Sequence, residues 1–155
     1  MKIKHPAMIV LSGAVWFAVG LYLLPLGLSL ILEASRFSSQ YPLMGILAPL
    51  LGGGEMAAIL LIVLGLFVGY MKGKHVLAKA ATRSIERIRS LPEPVSLLYV
   101  YNLRYYLLLG GMVLLGLSIK WLGIPNDIRG TIDVAIGAAL INGAVFYFRN
   151  RNCEV

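Results

Sequence analysis

The apolar positions of this chain fall into long unbroken runs. The first, Met8 to Leu32, carries no charge. The second runs from Leu43 to Met71 and is interrupted by Pro49, the triplet Gly52-Gly53-Gly54 and Glu55. A third covers Tyr105 to Ile119 and continues through Lys120, Trp121 and Leu122, and a fourth, Thr131 to Phe148, includes Asp133 and Asn142. A spanning helix needs about 20 apolar residues to cross about 30 Å of hydrocarbon, whereas barrel strands alternate with a period of two. The pattern therefore predicts an all-α integral membrane protein with four transmembrane helices, at about 8–32, 43–71 with a break near 52–54, 103–123 and 131–148. Two helical hairpins would form one four-helix bundle, a single transmembrane domain over 1–155.

Only the connector 72–96 is substantially polar. Leu77, Ala81, Ile85 and Ile88 recur at helical spacing, with Lys79, Arg83 and Arg87 on the opposite side. This predicts a basic amphipathic helical extension of the second span, on the cytoplasmic side, ended by Pro92 and Pro94. It would rest on anionic lipid headgroups or dock a partner.

Basic residues give the orientation. With the N-terminus cytoplasmic, that side holds 11 Lys and Arg residues and the other holds three, Arg36, Lys120 and Arg129. The positive-inside rule then puts both termini in the cytoplasm. Phe37, Tyr41 and Trp121 fall at the outer boundary and Tyr70, Tyr99, Tyr101, Tyr105, Tyr106 and Tyr147 at the inner one, as aromatic belts do. The first run is too long for the h-region of a cleaved signal peptide and is expected to be retained, with a bacterial inner membrane as the expected location.

Composition agrees. Of 155 residues, 59% are apolar and 14% charged, against about 45–50% and about 25% for soluble domains. A water-facing globule is excluded. The net charge of +7 is accounted for by topology, so no nucleic acid is implied. One cysteine, Cys153, and two separate histidines, His5 and His75, supply no metal or haem site, and no cofactor is expected. Without HExxH, GxSxG, P-loop or CxxC motifs, an enzyme is the weakest class.

Ionisable residues inside a span cost about 2.5–3.5 kcal/mol each on insertion scales, so each requires a reason. Measured from the cytoplasmic end of each run, Glu55, Asp133, Lys120 and Tyr22 would share one layer in the outer half of the bilayer. With Gly53 and Gly54 beside Glu55, they are the candidate substrate- or ion-binding residues. A plainer account makes Glu55 and Asp133 first-turn acids that stabilise helix dipoles. The glycine triplet favours a break, which leaves 43–51 as a short or re-entrant half-helix.

Other small residues suggest packing. Gly13, Gly20 and Gly27 recur every seven residues, and Gly65, Gly69 and Gly73 every four. Asn142 is expected to hydrogen-bond another helix near Gly143. Glu55-Met56-Ala57 and Gly65 match Asp133-Val134-Ala135 and Gly143 at one constant offset, which allows a parallel tandem repeat of the hairpins. The functional expectation is a small transporter or channel-like protein for an ion or solute, working as a homo-oligomer. The alternative is a non-enzymatic membrane subunit or scaffold that binds partner membrane proteins or anionic lipid.

Overall fold

A computed structural model describes residues 2–3, 5–90, 95–96 and 122–150. The expected third span lies outside them except for Leu122 and Gly123, and so does Lys120. The described chain is helical apart from turns and one two-residue antiparallel pairing, in which Lys2 lies opposite Ser96 and Ile3 opposite Val95.

Helix α1 spans His5–Arg36, 32 residues, or about 48 Å. A 3-10 turn, Ser38–Gln40, leads to α2, Pro42–Leu51. Proline begins α2 because its absent N–H would have had no partner there. Gly52 ends it in the left-handed region, at φ 85°, where a Cβ is costly. Helix α3 starts immediately, at Gly54–Lys72. The break near 52–54 is therefore present, with two helices meeting at a glycine corner. A π turn, Gly73–Leu77, joins α3 to α4, Ala78–Ser90, so that helix continues over Gly54–Ser90. Helix α5 is Asn126–Arg149. It starts five residues before the apolar run at Thr131, where Asn126 and Asp127 bond to Tyr41, Leu43 and Met44 and Gly130 abuts Gly27.

Among the described residues, three helices, His5–Arg36, Gly54–Ser90 and Asn126–Arg149, are long and apolar enough to cross a membrane. Helix α5 is the central one. Its first neighbour is α1, which runs antiparallel to it along a seam of small residues. A Cβ on Gly27 would lie 2.7 Å from the Gly130 carbonyl oxygen, and one on Gly20 would lie 2.9 Å from that of Gly137. Gly13 meets Tyr147 and Phe148 further along. The second neighbour, α3, runs parallel to α5. Gly65 abuts Thr131 and Val134, Gly69 abuts Ala135 and Ala138, and Gly73 abuts Ala139 and Asn142. Backbones approach this closely only where no side chain intervenes.

The end where α1 finishes and α5 begins is called the top, and the opposite end the base. Two apolar clusters fill these ends. At the top, Met44 of α2 inserts among Ile31, Ala34, Ala57, Ala58 and Val134. At the base, Leu77, Ala81, Ile85 and Ile88 pack with Met8, Ile9, Trp16 and Tyr147. The apolar stripe of α4 thus closes the bundle itself. Lys79, Arg83 and Arg87 lie exposed on its other side.

Candidate functional site

The polar chemistry of the described residues gathers on the first two turns of α5. Asp127 is fully buried. Its Oδ2 accepts hydrogen bonds from the backbone N–H of Leu43 (2.8 Å) and Met44 (3.2 Å), and its Oδ1 accepts from Ile128 N–H (2.8 Å). Leu43 and Met44 are in the first turn of α2, whose own N-cap residue, Tyr41, makes no side-chain capping hydrogen bond. Asp127 supplies from 84 residues away what a local Ser or Asp supplies in most helices. A carboxylate on free amides at the positive end of a helix is favourable by charge and by hydrogen bonding. Asn126 adds a bond from Nδ2 to the Tyr41 hydroxyl (3.4 Å), and Thr131 donates to the Asp127 carbonyl (2.7 Å). The bonds from Leu43, Met44 and Asn126 hold α2 across the top, while those of Ile128 and Thr131 steady the first turn of α5 itself.

One and a half turns further along α5 is Asp133, only 4% exposed. Its Oδ2 lies 3.7 Å from Arg129 Nε, too far for a hydrogen bond. Among the described residues, that oxygen is buried with no hydrogen-bond partner. The contrast between the two acids is chemical. Asp127 has its acceptors used by backbone amides, while the buried Oδ2 of Asp133 faces Arg129 and accepts no hydrogen bond among the described residues.

The helix register separates the four residues expected to share a layer. Gly65 faces Thr131 and Val134, so Asp133 is level with Gly65, about ten residues and roughly 15 Å below Glu55. Glu55 itself is an exposed residue in the first turn of α3. Tyr22 is near Asp133 in height, because Gly20 and Gly27 flank it opposite Gly137 and Gly130, but its ring is 70% exposed and turned outward. The structure does not bring Glu55, Tyr22 and Asp133 together. Lys120 lies outside the described residues. Gly53 precedes the first turn of α3, and Gly54 is pressed against the Ser35 carbonyl of α1. The half-helix 43–51 is likewise tied at the top by both ends, through Asp127 and through Gly54 against Ser35. Asn142 donates to the Ala138 carbonyl of its own helix (2.9 Å), not to another helix, while its Cβ packs on Gly73.

Asp127 is the residue sequence reasoning passed over. It sits in a Pro-Asn-Asp turn signature, and its capping of α2 is not readable from local sequence. In the sequence Arg129 reads as a topology charge. The signal that points to it is its i,i+4 spacing to Asp133 on one helix. The chain matches no protein-family model, no curated protein and no solved structure.

Proposed function

We propose that the chain is an integral membrane protein that moves a proton, small ion or small solute, with Asp133 and Arg129 as its working pair. The carrying observation is the buried, hydrogen-bond-free oxygen of Asp133 beside Arg129. An ionisable group inside a span is expensive and contributes nothing to packing that an apolar residue would not supply better. A carboxylate that can exchange partners between Arg129 and a proton or bound solute gives that cost a use. In this reading Glu55 serves as a first-turn acid of α3 and not as the coupling residue. The membrane would lie with the base in the cytoplasm, following the basic residues.

A second reading is favoured by the glycine seams. Both seams on α5 are closed by contacts at their glycines, where an added Cβ would meet the facing helix at 3.1 Å or less. That suits a non-enzymatic membrane subunit which binds copies of itself or a partner membrane protein. Flux in proteoliposomes across a pH gradient, with a small panel of ions and solutes, separates the two. Under the first reading wild type carries flux, Asp133→Asn loses it by at least about tenfold, and Glu55→Gln retains most of it. Absence of flux from folded wild type supports the subunit reading.

A further inference from the structure

We propose that the exposed cationic stripe of α4 is a binding site for anionic phospholipid headgroups. This inference rests on the membrane insertion proposed above and is independent of any transport. Lys79, Arg83 and Arg87 are spaced four residues apart, so successive side chains stand about 6 Å apart on one face of the helix. All three are exposed, and none forms an ion pair or hydrogen bond among the described residues. The only acid on α4 is Glu86, also exposed.

Three features point to lipid. The first is orientation. An amphipathic helix with a free apolar face would lie on a membrane or clasp another protein by that face. Here Leu77, Ala81, Ile85 and Ile88 are already buried against α1 and α5, and Arg89 is tied to the Asn150 carbonyl (3.1 Å). The helix is fixed, and only its cations remain available. The second feature is position. Val76, one turn before Lys79, is a largely exposed apolar side chain, as are Phe67, Tyr70 and Met71 above it, with exposed Lys72, Lys74 and His75 between them. Exposed cations thus take over from the apolar outer face between Lys72 and Lys79, the level a phosphate occupies when its acyl chains lie along that face. The third is charge: Lys and Arg at that level attract anionic headgroups, and three on one face act together.

The test uses the full-length protein reconstituted in nanodiscs of zwitterionic phosphatidylcholine, alone or with phosphatidylglycerol, and reads lipid retained with the protein by native mass spectrometry. Wild type should enrich phosphatidylglycerol over its bulk fraction by several-fold. The triple variant K79Q/R83Q/R87Q should lose that enrichment, and K79R should keep it. High salt should weaken it. Equal flotation of wild type and triple variant with pure phosphatidylcholine vesicles checks insertion separately. Failure of both proteins to float strikes the membrane reading and the site with it. Normal flotation with no enrichment, or with enrichment unchanged in the triple variant, overturns the lipid site alone. So does capture of an acidic peptide by the detergent-solubilised protein with no phosphatidylglycerol preference in nanodiscs, which would make the stripe a protein-docking face.

Discussion

At the scale of single residues, two aspartates six positions apart on one helix have opposite roles. Asp127 is buried with its oxygens occupied by three backbone amides, so its contribution is structural. Replacing it by alanine removes the acceptor for the buried N–H of Met44 and the half-buried N–H of Leu43 in α2 and should destabilise the fold by about 2 kcal/mol, read from unfolding in detergent. Asparagine at the same place retains one acceptor oxygen and should cost less. A cysteine at Met44 gives a local readout: its thiol is shielded in the parent and should become reactive in the Asp127→Ala background, because Met44 is fully buried when α2 is seated. Unchanged reactivity would show that other contacts hold α2. Asp133 is the converse case, a buried acid whose Oδ2 faces Arg129 without a hydrogen bond among the described residues, and under the transport proposal it is the residue on which flux should depend.

At the scale of elements, the glycines divide into two kinds. Gly27 is required by its neighbour. A Cβ there meets backbone atoms of Gly130 and Val134, both at 2.7 Å, and neither can yield without separating the helices. Gly27→Ala should therefore cost about 1–3 kcal/mol and loosen the α1–α5 seam. Gly52 is required by its own backbone. Its surroundings are open, with nothing within 4 Å of a Cβ, but φ is +85°. Gly52→Ala should cost only about 1 kcal/mol. Thermal denaturation of the two variants side by side checks the ranking, and a larger loss at Gly52 would mean that the corner carries more than local strain. The seven-residue spacing of Gly13, Gly20 and Gly27 is visible in the sequence as a packing face. Its partner, Gly130 and Gly137 on the last helix, is not visible, since many apolar helices would accept such a groove. The apolar stripe of α4 was legible in the same way. What it covers, the base of α1 and α5, came only with the fold.

At the scale of the whole molecule, the parallel register of α3 against α5 carries the main consequence. A tandem repeat symmetric about an axis along the helices would put equivalent residues at equal heights. The match of Glu55 with Asp133 does not meet that condition, because Asp133 lies level with Gly65. The register can be tested directly. Cysteines replacing Gly65 and Val134 should cross-link under mild oxidation, since a Cβ at Gly65 stands 3.4 Å from the Cβ of Val134, close to the spacing a disulfide takes. Cysteines replacing Glu55 and Asp133 within one chain should not. The reverse result would restore a shared layer of acids and return Glu55 to the site.

The class of helices, the break at the glycine triplet and the basic face of α4 were decided locally. Run length, glycine conformational freedom and residue periodicity act within a few turns of chain, so the sequence alone determined them. The heights of the acids were not decided locally. Counting residues from the end of an apolar run assumes that every helix ends at one plane, yet α3 continues through a π turn into α4 while α5 stops at Arg149. Only interhelical contact sets the sliding of one rod along another. That contact separated Glu55 from Asp133, turned Tyr22 outward and gave Asp127 the end of a helix 84 residues away to cap.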